Sequence, residues 1–378
     1  MTENIALYLH FPFCRRKCNY CTFISYQNCE SEIPDYVKAL KQELVSRVTG
    51  KKVQTIYFGG GTPSLLEPEQ LYDILSTIRS ACSVDEMAEV TIEANPGTID
   101  EPNLRNIKET GVNRLSVGVQ SFDNTELTLL GRIHTAAEAK EAVSNARKAG
   151  FSNIGVDLIY GIPGQTTTTW NNSLTEALRL NVEHLSLYAL TLEGNEPMSK
   201  AIGRGDLPPL DPDASADQFE LAEDLLDKRG YRHYEISNWA KPGYECKHNL
   251  VYWQGHTYIG VGVAAHSYID GHRLANTKEI QTYLNAFNNN SSQIQDFEET
   301  IGNDLQLAES IILGLRLSEG VSLIDFGKRF GKDVLSCYAE QLDELKNLGL
   351  VEVAGGNLRL TGRGRLLGNE VFWRFLPA

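Results

Sequence analysis

The sequence predicts an α/β fold: a partial (β/α)6 barrel, an extension, and a small C-terminal unit. Six short runs of β-branched and aromatic residues, ALYLHF, TIYFGG, EVTIEAN, NRLSVGVQ, NIGVDLIYG and HLSLYALT, alternate with amphipathic segments, which is the repeated βα order of a parallel sheet. These runs are near-continuously apolar, as expected when both faces of a sheet are buried, and right-handed crossovers then curl the strands into an open or closed barrel. A chain of 378 residues is also long enough for a barrel-sized domain and a smaller one.

Each element follows from its local pattern. Behind the first strand, SEIPDYVKALKQELVSRV puts Tyr36, Val37, Leu40, Leu44, Val45 and Val48 on one helical face, with Ser31 as the expected cap. After the sixth strand, GRGDLPPLDPDA reads as a loop, followed by a helix over 216–228 and a strand-like run, YRHYEIS. FNNNSSQIQ (287–295) is polar and turn-rich and is expected to mark a boundary. Beyond it come helices over 305–317, 323–330 and 334–348, then LVEVAGGNLRLT, a hairpin turned at Gly355 and Gly356. That order resembles a winged helix. The expected organisation is thus a barrel over 1–230, an extension over 231–295 and the C-terminal unit over 296–378.

Composition excludes several classes of function. A net charge of -14 argues against a surface that neutralises phosphates. Residues 301–378 carry nine Lys plus Arg against ten Asp plus Glu, a net of -1, although Arg359, Arg363 and Arg365 cluster near the hairpin; nucleic acid is therefore not an expected partner. The start, MTENIALYLHF, lacks a basic and apolar leader, and no run approaches membrane-spanning length. A cytoplasmic protein is expected, with at most peripheral membrane association.

The chemistry is expected where strands end, because βα loops share one face of a barrel. Strand one leads into Cys14, Cys18 and Cys21, and strand two into Gly59, Gly60, Gly61 and Thr62. The next strands end at Glu93, Gln120 and Asp157 and near Thr191. Three cysteines within eight residues, out of seven in total, are not a disulfide framework. Soft thiolates select zinc, copper(I) or an iron-sulfur cluster. A closed zinc site needs a fourth ligand, for which His10 is the candidate; three ligands on a four-iron cluster instead leave one iron open. Cys29, Cys82, Cys246 and Cys337 read as small buried hydrophobes. GGGTP lacks the Lys-Ser/Thr of a P-loop and offers bare backbone for close approach to a ligand.

CRRKCNYC is CxxxCxxC, and with YFGGGTP it resembles the radical S-adenosylmethionine superfamily. The resemblance implies a 4Fe-4S cluster held by Cys14, Cys18 and Cys21. It also implies S-adenosylmethionine chelated to the open iron, where a low-potential cluster passes an electron into the sulfonium. Within the superfamily, YLHFPFCRRKCNYC, YFGGGTPSLL, IEANPGT, VGVQSFD, LGRIH, VDLIYGIPGQT and HLSLYAL resemble the group of oxygen-independent coproporphyrinogen III oxidases and HemW-type heme chaperones. By that similarity Tyr8, Gly60, Gly61, Thr62 and Glu93 meet S-adenosylmethionine. Tyr20, Gln120, Arg132 and Asp157 line the same or a neighbouring cofactor pocket.

Two departures separate the chain from the oxidases. They carry CxxxCxxCxC, whereas here Phe23 stands in place of the last cysteine, and only seven residues precede Tyr8. KHNLVYW (247–253) matches the HNxxYW motif of the chaperones, which makes His248 the heme-ligand candidate and Tyr252 and Trp253 flat faces for a porphyrin. His256, His266 and Cys246 are rivals, and ordinary packing of the motif against the barrel also fits. Two functions follow from the resemblance. One is a heme carrier serving acceptor apoproteins, with an electron donor for the cluster; the other is a radical decarboxylase of coproporphyrinogen III. The residues leave open whether the chain is an enzyme.

Overall fold

The computed structural model describes residues 4–288 and 294–377. Strand β1 (Asn4–Phe11) leads into two-residue strands β2 (Phe13–Cys14) and β3 (Tyr26–Gln27), which pair with each other and close the cysteine loop at its base. Then come β4 (Lys52–Gly60), β5 (Ser83–Ala94), β6 (Arg114–Gln120), β7 (Ile154–Tyr160) and β8 (His184–Ala189). Strands β9 (Arg232–Glu235), β10 (Asn238–Ala240), β11 (Tyr258–Val261), β12 (His266–Ile269), β13 (His272–Asn276) and β14 (Gln295–Thr300) complete one open sheet. Its order is β14-β13-β12-β11-β1-β4-β5-β6-β7-β8-β10-β9.

The six expected strands stand side by side and parallel. A seventh, β11, was not expected: it pairs parallel with β1, from Ala6 opposite Tyr258 to Leu9 opposite Val261. The strands are also less uniformly apolar than the sequence suggests. Register puts Tyr8 beside Tyr57, Glu93 beside Ser116, Gly118 beside Asp157, and Asp157 beside Ser186, so one sheet face is a polar row. The other face carries Leu7, Leu9, Ile56, Phe58, Ile92, Val117, Val156 and Leu158, all buried in the main core. Period-2 alternation therefore divides a helix-packed face from a lumen.

The helix Ile33–Val48 packs Tyr36, Val37, Leu40, Leu44 and Val48 into that core, but Val45 is exposed. Ser31 lies within a short 3-10 turn, Glu30–Glu32, and the helix begins behind Glu32 with no side-chain cap. Proline near its start fixes φ in place of a cap. The same helix buries Glu43, whose carboxylate accepts from Gly262 N at 2.8 Å, Asn276 Nδ2 at 2.7 Å and the Tyr283 hydroxyl at 2.6 Å. Burial pushes its pKa up. These bonds tie the β11–β12 turn, the end of β13 and the helix Ile280–Asn288 to the barrel wall, so Glu43→Ala, which strands three buried donors, is expected to cost on the order of 3 kcal/mol. Urea unfolding checks this; an unchanged midpoint would contradict it.

FNNNSSQIQ lies largely outside the described residues, and the chain after it pairs with β13 as β14, so 296–300 belong to the main sheet. The segment 231–295 packs its Ile259, Val261, Val263, Tyr283 and Leu284 into the main core, and its described residues form no core of their own. The C-terminal unit does have one, built on Leu307, Ile311, Phe326, Leu345, Leu358 and Phe375. It contains helices Asn303–Gly314 and Leu323–Phe330 and a three-stranded sheet, β15 (Val321–Ser322), β16 (Val351–Ala354) and β17 (Asn357–Leu360). The hairpin turns at Gly355 and Gly356, both at positive φ (60° and 82°). The helix expected over 334–348 breaks at Tyr338 into Val334–Cys337 and Ala339–Asn347.

Contacts join the C-terminal unit to the barrel. Arg365 pairs with Glu223 at 2.8 Å, Arg316 lies 4.6 Å over the Trp253 ring, and Ile236 N donates to Arg316 O at 2.9 Å. Among the described residues no helix is long and apolar enough to cross a membrane.

Candidate functional site

The cysteine loop leaves β1 at the end of the barrel where the strands exit, and it is held from several sides. Asn19 N donates to Leu130 O at 3.0 Å, Asn19 Nδ2 to Leu129 O at 2.9 Å, and Met198 N to Asn19 O at 3.0 Å. The loop's return is pinned by His10, whose Nε2 lies 2.9 Å from Ile24 O. His10 is thereby committed to the loop backbone rather than turned toward the thiols as a fourth ligand.

The glycine run has a structural task of its own. A Cβ on Gly61 would stand 2.6 Å from Phe13 O and 2.8 Å from Phe11 O, and one on Gly60 (φ 110°) would meet the His10 ring at 2.6 Å. The exits of β1 and β4 are welded together there, by Gly61 N donating to Phe11 O at 2.8 Å. Gly61→Ala pushes on the backbone one residue before Cys14. It is expected to cost roughly 1–3 kcal/mol of stability and to lower iron uptake in anaerobic reconstitution. Wild-type values for both would contradict the close-packing reading.

Cys14, Cys18 and Cys21 line a cavity of about 390 Å³ together with Tyr20, Gly60, Gly61, Thr62, Glu93, Gln120, Arg132 and Asp157. Of the residues that the resemblance assigns to the cluster and S-adenosylmethionine, Tyr8 alone lies elsewhere, as do the heme-ligand candidate His248 and its rivals His256, His266 and Cys246. Asp157 reaches the cavity from the middle of β7 rather than from its exit, because it belongs to the lumen-facing row. Thr62 Oγ1 donates to Cys14 Sγ at 3.5 Å and Arg132 Nη1 to Cys18 Sγ at 3.3 Å, while Arg132 Nη2 donates to Gly118 O at 2.5 Å. The Arg132 Nε is buried without a partner among the described residues. Burial raises the pKa of the Cys14 and Cys21 thiols.

The donor set fits an iron-sulfur cluster. All three thiols are free and partly exposed to one cavity, and Cys18 accepts from the Arg132 guanidinium. Among the described residues no three His, Cys, Asp or Glu side chains come together closely enough to hold a single metal ion. Three free thiols that open on one cavity are the soft donor set an iron-sulfur cluster takes.

Glu93 closes the far wall. Its carboxylate accepts from the Tyr57 hydroxyl at 2.8 Å and Gly60 N at 3.2 Å, and burial, with nearby Asp157 adding, pushes its pKa up to about 7. Tyr57 was missed in the sequence, where it reads as one more apolar strand residue; its signal is its place two residues before Gly59, on the lumen-facing parity. Asp157, which accepts from Ser116 Oγ at 3.2 Å, also has its pKa raised by burial.

His248 is fully committed elsewhere. It lies in the helix Lys247–Trp253, 1% exposed, with Nδ1 2.8 Å from Thr55 Oγ1 and Nε2 2.8 Å from the Tyr252 hydroxyl. Its ring stacks on Tyr57 at 5.0 Å, and Glu89 accepts from its backbone N at 3.0 Å. Burial, with Arg114 adding, pushes its pKa down to about 3, so the imidazole is neutral. The structure presents it to neither cavity.

A second cavity of about 1160 Å³ separates the β11–β13 edge from the C-terminal unit. Tyr8, Phe23, Tyr252, Trp253, His256, His266, Phe372 and Trp373 are among its walls. Tyr8 thus faces this space, its hydroxyl 3.2 Å from His10 Nδ1, rather than the cysteine cavity. Thr22 and Phe23 line both cavities, so the cysteine loop is their shared partition.

Comparisons with known proteins agree with this geometry. Residues 8–177 match the Radical SAM superfamily and residues 301–367 the HemN C-terminal domain. The protein named heme chaperone HemW from Lactococcus lactis is 37% identical over 98% of this chain and 97% of its own. The HemW of Bacillus subtilis is 36% identical over 98% and 99%, and that of Escherichia coli 37% identical over 98% and 98%. Among solved structures, the coproporphyrinogen III oxidase HemN of Escherichia coli, a radical SAM enzyme, superposes with a TM-score of 0.86 at 26% identity, over 99% of this chain and 90% of its own. The chain belongs to the radical SAM superfamily and, within it, to the family of the HemW heme chaperones and the oxidase HemN.

Proposed function

We propose that the protein is a cytoplasmic heme carrier of the HemW type, which binds heme and passes it to acceptor apoproteins. The observation that carries this reading is the full-length identity of 36–37% to proteins named heme chaperone, against 26% to the oxidase. The sequence departure agrees: Phe23, 66% exposed on the partition between the cavities, stands where the oxidases carry a further cysteine.

In this reading Cys14, Cys18 and Cys21 hold a 4Fe-4S cluster in the smaller cavity. When bound, the cluster supplies a low-potential electron, received from a separate donor, and an open iron for S-adenosylmethionine. Glu93 and the backbone of Gly60 and Gly61 bound the space for that ligand's aminoacyl end, and Thr62 and Arg132 hold two of the thiols. Tyr20, Gln120 and Asp157 shape the remaining wall.

Turnover separates the carrier from the oxidase. Anaerobically reconstituted protein is expected to leave coproporphyrinogen III unchanged and to transfer bound hemin to an apo-acceptor, followed by the acceptor's Soret band. Conversion to protoporphyrinogen IX would sink the carrier reading in favour of the decarboxylase.

A further inference from the structure

The larger cavity carries the features that a planar, dicarboxylated iron ligand requires, and His248 does not face it. Tyr252 and Tyr258 meet edge to face at 4.7 Å on one wall, and with Trp253 they offer apolar ring surface. His266 stands on β12, exposed to the cavity, and among the described residues no hydrogen bond is made to its ring. Its backbone is rigidly placed. The neighbouring Ser267 Oγ accepts from Gly260 N and from Arg47 Nη2, both at 2.9 Å, and a Cβ on Gly260 would already collide with His266 O.

The charges around His266 are cationic. Lys278 and Arg273 both lie near enough to lower its pKa, after partial burial as the main cause, so a neutral nitrogen is available for iron. His10 is a further neighbour, its own pKa lowered mainly by burial. Arg273 is already neutralised by Glu299 at 3.0 Å and Glu309 at 2.7 Å. Lys278 is exposed on the cavity wall and makes no ion pair among the described residues. A neutral imidazole beside an unmatched ammonium, facing aromatic walls, complements an iron porphyrin with its carboxylates.

We propose that heme lies in this larger cavity with His266, not His248, as the protein ligand to its iron and with Lys278 facing its carboxylates. The inference rests on the heme-carrying reading above. It puts the cargo across the 22–23 partition from the cluster cavity, so that the cysteine loop touches both.

The test is a ferric hemin titration of the full chain, followed by absorbance, on wild type, His266→Ala, His248→Gln and Lys278→Glu, with hemin dimethyl ester as a second probe. Positions 266 and 278 are exposed, so those variants leave the packing intact. Glutamine at 248 keeps a hydrogen-bonding group beside Thr55 and Tyr252 but gives up the ring stacked on Tyr57, so its fold is checked by urea unfolding beside wild type. Wild type and His248→Gln are expected to shift the Soret band alike. His266→Ala loses the imidazole-ligand spectrum and binds about tenfold or more weakly. Lys278→Glu weakens hemin but not its dimethyl ester. If wild type binds while His266→Ala is unaffected, or if only His248→Gln loses the ligand band, the assignment is wrong and the carrier reading survives. Were wild type to show no Soret shift, both would be overturned.

Discussion

Cys18→Ser protein, reconstituted anaerobically with iron and sulfide, is expected to bind at least about tenfold less iron than wild type and to lack the brown charge-transfer absorbance. The same holds for Cys14→Ser and Cys21→Ser. A serine oxygen is a hard donor with a far higher pKa than a thiol, so two soft ligands remain where the cluster needs three. Thr62 and Arg132, already bonded to Cys14 and Cys18, cannot substitute as ligands. The control is internal. Cys29→Ser and Cys337→Ser are expected to leave iron content unchanged, since neither residue lines the cavity. Iron analysis of the five variants checks the set, and an equal loss across all of them would mean that the cysteine loop is not the site.

S-adenosylmethionine binding is expected to depend on pH through Glu93. Its pKa is raised to about 7, chiefly by burial. The sign follows from the raised value: above about pH 7 the carboxylate is charged and accepts strongly from the N–H groups of the ligand's amine, and below it the proton weakens that acceptor. Between about pH 8 and about pH 6 affinity should fall roughly tenfold. Glu93→Gln should bind weakly at both values, with no pH dependence, while keeping acceptor geometry toward Tyr57 and Gly60. Isothermal titration of reconstituted protein reads both effects. A flat wild-type profile would remove Glu93 from ligand binding.

The barrel was legible because six runs of β-branched and aromatic residues alternate with amphipathic segments and are punctuated by glycine or polar exits. β11 was not, since TYIGVGV is short and glycine-rich and its pairing with β1 joins residues some 250 positions apart, which no local pattern reveals. The lumen-facing row was misread for a related reason. Tyr8, Tyr57 and Thr91 count as strand-forming residues on either face, and only register shows that they share a side with Glu93 and Asp157. Much of the cysteine cavity was legible because many of its lining residues come from strand exits and the cysteine loop, whereas Asp157 comes from the middle of β7 and Arg132 from beyond the helix Asn124–Leu130. His248 was different. Its helical spacing to Tyr252 predicts that the two side chains meet, as they do, but not that the pair faces inward onto Thr55 and Tyr57.

Electron paramagnetic resonance on reduced, reconstituted protein, with and without S-adenosylmethionine, tests the assignment of the cysteine cavity most directly. The expected result is a 4Fe-4S signal that changes when the sulfonium ligand is added, as a cluster held by three thiols with one open iron would require. Colourless protein, protein holding only zinc, or a cluster signal indifferent to the ligand would contradict it.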